Sequence, residues 1–123
     1  MESQKLKCAV IGASTNPGRY AYLAINKLLK YGHEVIAYGL RPGEVNGVEI
    51  FADMRIEEDV DTVTLYVGPA HIAHWLPLIL SLQPRRVIFN PGTEDYITER
   101  TLKEAGIECI QACTLVMLSI GNF

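Results

Sequence analysis

The segment formed by residues 6–20 constrains the fold more than any other part of the chain. An apolar run at 8–11 ends at Gly12, and the polar loop Gly-Ala-Ser-Thr-Asn-Pro-Gly leads into a helical pattern by Tyr20. A strand that turns tightly into a helix leaves the first N–H groups of the helix without partners. With the helix dipole behind them, these groups attract phosphate. The segment therefore predicts a site for a nucleotide-like ligand. A loop that merely connects strand and helix is the alternative.

The loop departs from the fingerprint of dinucleotide-binding proteins. That fingerprint is G-x-G-x-x-G, and its second glycine lets the backbone approach a pyrophosphate closely. Gly12 supplies the first glycine, but Ser14 and Pro17 stand in the second and third positions. The Cβ of Ser14 would crowd a pyrophosphate bound as in NAD enzymes, whereas its hydroxyl can donate a hydrogen bond to phosphate. The pattern favours a phosphate ligand and disfavours NAD.

Length and composition predict a single domain in the cytoplasm. The chain has 123 residues, of which 49% are hydrophobic and 20% charged, and its net charge is −3. This charge gives no general attraction for nucleic acid or anionic membranes. No apolar run reaches the roughly 18 residues of a membrane span, and the first five residues lack the apolar core of a signal peptide. Three cysteines without C-x-x-C spacing fit a reduced compartment.

Short apolar runs alternate with longer amphipathic ones along the whole chain. This alternation predicts βαβ units and thus a three-layer, Rossmann-like, doubly wound α/β fold with a parallel sheet. The predicted order is 3-2-1-4-5, followed by a sixth strand. The predicted strands are 6–11, 34–38, 48–51, 62–67, 87–89 and 107–110. The predicted helices are 21–29, 72–80, 94–105 and 114–118, with an acidic helical turn at 56–59. Thr93 is the predicted cap of the third helix, and Pro77 must lie in the first turn of the second helix unless that helix kinks.

Small or rigid residues follow three of the predicted strands. They are Gly12, then Gly68 and Pro69, then Asn90, Pro91 and Gly92. Ligands of open α/β sheets bind outside the carboxyl ends of the strands. Because three such loops meet at this edge, they predict a pocket there, although loops of this kind favour Gly and Pro in any case.

The end of the second strand lacks the acidic residue that NAD enzymes use for the ribose hydroxyls. Arg41 is the nearest charged residue. Arginine suits a phosphate on the ribose, as in NADP or in coenzyme A with its 3′-phosphate. A solvent-exposed turn beside Pro42 is the alternative interpretation.

Several short motifs together resemble the CoA-binding domain family of small Rossmann-like proteins. The family is similar to the N-terminal domain of NDP-forming acyl-CoA synthetases and of the succinyl-CoA synthetase α subunit. The order and spacing of the motifs carry the resemblance across essentially the whole chain. The motifs are 12–14, 19–20, 30–35, 65–70 and 106–108, with Cys113 in the closing segment.

The resemblance implies a CoA-binding Rossmann-like domain over residues 1–123 whose ligand is coenzyme A or an acyl-CoA. We expect the phosphates to lie on the backbone of Ala13 to Thr15, with a hydrogen bond from Ser14 and charge neutralisation by Arg19. The full set of expected ligand-binding residues is Gly12, Ala13, Ser14, Thr15, Arg19, Tyr20, Leu40, Arg41, Gly68, Pro69, Ala70, Asn90, Pro91 and Gly92. Binding without catalysis, by a monomer or a homodimer, is the expected role.

The chain departs from the family pattern at two places. Tyr38-Gly39-Leu40-Arg41-Pro42 replaces a Val-Asn-Pro-like turn, and Phe89-Asn90-Pro91-Gly92 replaces a Trp-x-Gln-x-Gly pattern. The adenine and pantetheine contacts can therefore differ from those of the family. A small NADP-dependent oxidoreductase, or a fragment of one, remains the alternative function.

No catalytic or metal-binding residues are predicted. His71 and His74 lie three apart at a helix start, but a metal site needs a third ligand, and we interpret them as surface or pocket-rim residues. Cys113 lies at the start of the predicted last helix, where a thiol pKa can be lowered. A structural role for this cysteine is the simpler interpretation, and exchange with a ligand thiol is the alternative.

Overall fold

Seven strands form one sheet in the computed structural model, which describes residues 4–123. The order across the sheet is β3-β4-β2-β1-β5-β6-β7. Neighbouring strands are parallel except for the antiparallel pair β3–β4. The strands are β1 (Lys7–Ile11), β2 (Glu34–Tyr38), β3 (Gly43–Val45), β4 (Val48–Phe51), β5 (Thr62–Leu65), β6 (Arg86–Phe89) and β7 (Glu108–Gln111). The six predicted strands thus occur in the predicted order.

Four helices cover the two faces of the sheet. They are α1 (Tyr20–Lys30), α2 (Pro69–Leu82), α3 (Tyr96–Glu104) and α4 (Thr114–Ile120). Helices α1 and α4 pack together on one face, and α2 and α3 pack together on the other. The chain is therefore a single three-layer α/β domain of the Rossmann-like type, as predicted.

The two hydrophobic cores are set by the alternation of side chains along the central strand. Cys8 and Val10 of β1 point towards α1 and α4, whereas Ala9 and Ile11 contribute to the core beneath α2. All four are fully buried. Since both faces of a parallel sheet are covered by helices, its central strands are apolar on both sides. This is why β1 has no polar alternation.

The edge beyond β2 is the part of the sheet that differs most from the prediction. Residues 43–45 form a strand, β3, that pairs with β4. The connecting residues Asn46 and Gly47 both have positive φ angles, 49° and 87°, as a two-residue hairpin turn requires. Asn46-Gly47 is a turn signal in the sequence, but the strand before it was not predicted.

Most predicted elements differ from the structure by one to three residues at an end, and one predicted element is absent. Residues 56–59 form no helical turn. Strand β5 ends at Leu65, two residues earlier than predicted, so Tyr66 and Val67 belong to the following loop. Strand β7 begins and ends one residue later than predicted.

The predicted cap of α3 is wrong, and one of the two predicted alternatives for Pro77 is excluded. Helix α3 begins at Tyr96, and its cap is Asp95, whose carboxylate accepts a hydrogen bond from the N–H of Thr98. Thr93 instead donates its hydroxyl to the carbonyl of Asn90 at 2.8 Å. Pro77 lies in the interior of α2 and not in its first turn. It has no N–H to donate, so the preceding turn of α2 lacks one hydrogen bond.

The first three residues, part of the segment from which the absence of a signal peptide was predicted, lie outside the described residues. Among residues 4–123, no helix has the length and the apolar character needed to cross a membrane.

Candidate functional site

The loops that follow β1, β2, β5 and β6 enclose a cleft of about 1140 Å³ at the carboxyl edge of the sheet. Most of the residues predicted to bind a ligand line this cleft. They are Gly12, Ala13, Ser14, Thr15, Arg19, Tyr20, Leu40, Arg41, Gly68, Pro91 and Gly92. Pro69 and Ala70, the first two residues of α2, and Asn90, in the loop after β6, are not among the lining residues. The predicted meeting of several loops at one edge is therefore present in the structure.

The loop after β1 is fixed against the end of β2. The N–H groups of Gly12 and Ala13 both donate to the carbonyl of Tyr38, each at 2.9 Å. Gly12 has a φ of +96°, and a Cβ there would lie 2.7 Å from the carbonyl oxygen of Tyr66. Only glycine fits such a position. Because the N–H of Ala13 donates to Tyr38, it is not available to a ligand. Of the three residues predicted to bind phosphate through their backbone, Ser14 and Thr15 remain.

The rest of this loop is shaped by two successive side-chain turns. The hydroxyl of Ser14 accepts from the N–H of Asn16 at 3.0 Å, and the Asn16 side chain accepts from the N–H of Gly18 at 2.9 Å. The N–H groups of Ser14 and Thr15 have no hydrogen-bond partner within residues 4–123. The hydroxyl hydrogen of Ser14 is likewise free to donate. Two backbone groups and one hydroxyl are thus available to an anion.

The charge of the cleft lining is entirely basic. Arg19, the residue that caps α1, and Arg41, which follows β2, both line it, together with His71 and His74 of α2. No Asp or Glu is among the lining residues. Neither arginine has an ion-pair partner within residues 4–123. Because no carboxylate among residues 4–123 pairs with them, both guanidinium groups are available to a ligand's phosphates.

Two large apolar side chains lie exposed on the rim. Tyr20 is 71% exposed and Leu40 is 77% exposed, and both line the cleft. Side chains of this size and exposure offer flat apolar contact to a ligand, as cofactor sites commonly do.

Sequence reasoning missed several lining residues at the β5 side of the cleft. Tyr66 and Val67 were assigned to a strand, although both lie in the loop after β5 and line the cleft. Burial raises the pKa of Tyr66 to about 12, so its phenol is neutral at ordinary pH. Trp75 was assigned to the core of α2, and it is buried, but part of it faces the cleft. His71 and His74 line the cleft in agreement with their interpretation as pocket-rim residues.

Asn90 is buried and its side chain is used inside the protein. Its amide nitrogen donates to the Thr64 hydroxyl at 2.7 Å and to the Leu65 carbonyl at 2.8 Å. Its amide oxygen accepts from the N–H of Thr114 at 2.8 Å. These bonds join β5, β6 and the start of α4, so Asn90 holds the loop after β6 in place.

The cysteines lie away from the cleft lining. Cys8 is fully buried, and burial raises its pKa to about 12. Cys109 is partly buried, and burial, with a smaller effect of Glu99, raises its pKa as well. Cys113 is the residue before α4 and does not line the cleft. Within residues 4–123, no cluster of three or more His, Cys, Asp or Glu side chains could hold a metal ion.

Comparison with known proteins identifies a family. The sequence pattern described as "CoA binding domain" matches residues 7–119, which includes every loop of the cleft. No curated protein matches the chain significantly.

Solved structures share the fold over the full chain. A crystal structure described as that of an uncharacterized protein is 48% identical, with a TM-score of 0.95, and the match covers 98% of this chain and 100% of that one. The protein cell-free ID.343 from Thermus thermophilus is 28% identical, with a TM-score of 0.85 and coverage of 97% and 91%.

A larger enzyme contains the same fold as one of its parts. It is a dinucleotide-forming acetyl-coenzyme A synthetase from Ca. Korarchaeum cryptofilum, 17% identical, with a TM-score of 0.72. The match covers 86% of this chain but only 25% of that enzyme. At this identity the likeness concerns the fold alone.

Proposed function

We propose that this chain, which belongs to the CoA binding domain family, binds coenzyme A or an acyl-CoA in the cleft and does so without chemical turnover. The observation that carries the proposal is the pair of unneutralised arginines, Arg19 and Arg41, in a cleft whose lining contains no carboxylate. A cleft of that charge on a chain of net charge −3 suits a ligand with several phosphates.

The pyrophosphate of the ligand is assigned to the loop after β1. The free N–H groups of Ser14 and Thr15 and the hydroxyl of Ser14 donate to its oxygens, and Arg19 neutralises its charge. The start of α1 lies directly behind this loop, so the helix dipole adds to the attraction. Each charge-assisted hydrogen bond contributes about 1.5–3 kcal/mol.

The strand order sets the direction in which the ligand lies. β2 lies on one side of β1, and β5 and β6 lie on the other. Arg41 and Leu40, which follow β2, therefore belong to one end of the cleft, and the loops after β5 and β6 belong to the opposite end. We assign the 3′-phosphate to Arg41, the adenine to the apolar rim formed by Leu40, and the pantetheine arm to the β5 side.

Binding without turnover is the role that the lining supports. Apart from the arginines and histidines, the polar groups of the lining residues include backbone amides, the hydroxyls of Ser14, Thr15 and Thr93, the phenol of Tyr20 and the carboxamide of Asn16. Groups of this kind hold a ligand in place. A protein of this type would sense the CoA pool or present CoA to a partner.

NADP is the second candidate ligand, and Arg41 is the observation in its favour. A guanidinium after β2 suits a 2′-phosphate as well as a 3′-phosphate. The Cβ of Ser14, which stands where dinucleotide-binding loops have glycine, counts against it.

Calorimetric titration with CoA, dephospho-CoA, NADP and NAD separates these assignments. We expect CoA to bind tightest and dephospho-CoA, which lacks the 3′-phosphate, to bind about tenfold or more weakly. In Arg41→Ala the difference between these two ligands should disappear, whereas in the control Arg100→Ala it should remain, because Arg100 is an exposed residue of α3 away from the cleft.

Tighter binding of NADP than of CoA would overturn the CoA assignment in favour of the second candidate. Steady turnover of an acyl-CoA, or of NADP with a carbonyl substrate, would contradict binding alone if changing one lining residue abolished it.

A further inference from the structure

Two histidines of α2 lie at the end of the cleft where the proposed ligand has its thiol. His71 and His74 are separated by three positions, a spacing that places side chains on one face of a helix. Both are exposed, and both line the cleft. His74 packs edge-on against Trp75 with ring centroids 5.0 Å apart. Neither imidazole has an ion-pair partner within residues 4–123.

Their place in the fold separates them from the phosphate-binding groups. The helix that carries them follows β5, which lies on the side of β1 opposite to β2 and Arg41. A ligand with its 3′-phosphate at Arg41 and its pyrophosphate behind Gly12 extends its other end towards these histidines. The remaining lining on that side consists of Trp75, Val67 and the loop Pro91–Thr93, which carries no charge.

We propose that His71 and His74 select acyl-CoA ligands whose acyl chain ends in a carboxylate. This inference rests on the proposed CoA function and adds the class of acyl group. An imidazolium donates charge-assisted hydrogen bonds to a carboxylate, and two imidazoles on one helix face can both reach one terminal carboxylate. The start of a 14-residue helix adds a favourable dipole for a negative group. A methyl-terminated acyl chain gains none of these interactions.

No carboxylate among the cleft-lining residues competes with the ligand for the two histidines. Glu94, which follows the loop after β6, is not a lining residue, and its carboxylate accepts from the N–H of Gly92 at 2.9 Å.

Comparing two acyl-CoA ligands of equal acyl-chain length measures the effect of the terminal group of the acyl chain alone. Succinyl-CoA and butyryl-CoA each carry a four-carbon acyl chain and the same phosphates, so the ratio of their dissociation constants cancels every contact to the nucleotide. We expect succinyl-CoA to bind about fivefold tighter than butyryl-CoA, a difference of the size that exposed polar pairs give. The double variant His71→Gln/His74→Gln should lose the preference.

Two controls fix the interpretation. The variant Lys30→Gln removes a cation at the far end of α1 and should keep the wild-type ratio of the two dissociation constants. Circular dichroism melting of the histidine variant checks that it folds. An equal affinity of the wild-type protein for both ligands, or a preference that survives the double substitution, would overturn the inference while CoA binding itself stands. Failure of wild-type protein to bind any CoA species would instead overturn the proposed function, and the inference with it.

Discussion

The two edges of the sheet use their basic residues in opposite ways. At the amino edge the cations have partners inside the protein: Lys7 lies 3.9 Å from Glu34 and 3.8 Å from Glu57, and Arg85 donates to Asp61 at 2.9 Å. At the carboxyl edge Arg19 and Arg41 face an open cleft without partners within residues 4–123. The difference indicates that one edge holds the fold together and the other is available to a ligand.

The histidines and Arg86 show the same difference between the two edges. His33 at the amino edge is buried, and its Nδ1 accepts from the N–H of Leu6 at 3.0 Å. Its ring packs against Phe123, which also stacks beneath the buried guanidinium of Arg86. Substitutions at the amino edge should therefore change stability more than affinity, and substitutions in the cleft should do the reverse.

The largest effect is expected in the double variant Arg19→Ala/Arg41→Ala. Loss of two charge-assisted contacts should weaken CoA binding at least 100-fold, which corresponds to about 2.7 kcal/mol. The melting temperature should stay within a degree or two of wild type, since neither side chain has an ion-pair partner in the described part of the chain. Calorimetry and thermal melting measure the two quantities. Lys30→Ala/Arg100→Ala, which removes two cations outside the cleft, is the matched control. A similar loss of affinity in this control would show that Arg19 and Arg41 do not contact CoA specifically.

Asp61→Ala should show the opposite profile at the amino edge. The carboxylate accepts from Arg85 at 2.9 and 3.1 Å and from the hydroxyl of Thr62 at 2.6 Å. Losing these bonds should lower the free energy of unfolding by about 2 kcal/mol and leave CoA affinity unchanged. Urea denaturation compares it with Glu58→Ala, which changes an exposed acidic residue whose side chain has no ion-pair partner within residues 4–123. A stability equal to that of the control would break the proposed contrast between the edges.

A smaller effect is expected from Ser14→Ala. The variant removes one neutral hydroxyl that we assign to the pyrophosphate, so CoA should bind about fivefold more weakly. Ser81→Ala, at an exposed position near the far end of α2, should bind CoA as wild type does. Equal affinities in the two variants would show that the hydroxyl serves only the Asn16 turn.

The smallest effect is a pH dependence of stability from His33. Burial, with smaller contributions from Lys5 and Arg86, lowers the pKa of His33 below its ordinary 6.5. The unfolded chain therefore takes up a proton on His33 at a higher pH than the folded chain does, and folding stability falls as pH drops below 6.5. In His33→Gln this part of the pH dependence should vanish, because glutamine can accept from Leu6 without titrating. Denaturation curves at pH 7 and pH 5 for both proteins measure it, and parallel changes in the two would contradict the assignment.

Much of the fold follows from local pattern. Apolar runs that end in glycine predicted β1 and its loop, and the alternation of elements predicted the parallel strand order. β3 was missed because Arg41-Pro42-Gly43 is typical of a turn, and its pairing with β4 depends on a neighbour in space. The cap of α3 was misassigned because Thr93 and Asp95 are both good caps, and Thr93 is held by the Asn90 carbonyl.

The sequence predicted which loops form the candidate site, but not which hydrogen-bonding groups in those loops are available to a ligand. The loops were predicted from residues close together in the sequence, namely the glycines, Ser14 and the two arginines. Two properties depend on tertiary contacts that no local pattern reveals. The N–H of Ala13 is taken by Tyr38, and the side chain of Asn90 is taken by β5 and α4. The end of β5 at Leu65 was not predicted either, so Tyr66 and Val67 were assigned to the strand although they line the cleft.

The central claim is that ligand binds at the carboxyl edge, and the backbone amides of the glycines test it most directly. Gly12, Gly68 and Gly92 line the cleft, whereas Gly32 and Gly106 precede β2 and β7 at the amino edge. Titration of ¹⁵N-glycine-labelled protein with CoA should shift the amide resonances of the first three in proportion to occupancy. Those of Gly32 and Gly106 should stay in place. Shifts at Gly32 and Gly106 with unmoved resonances for Gly12, Gly68 and Gly92, or no shifts at saturating CoA, would contradict the account.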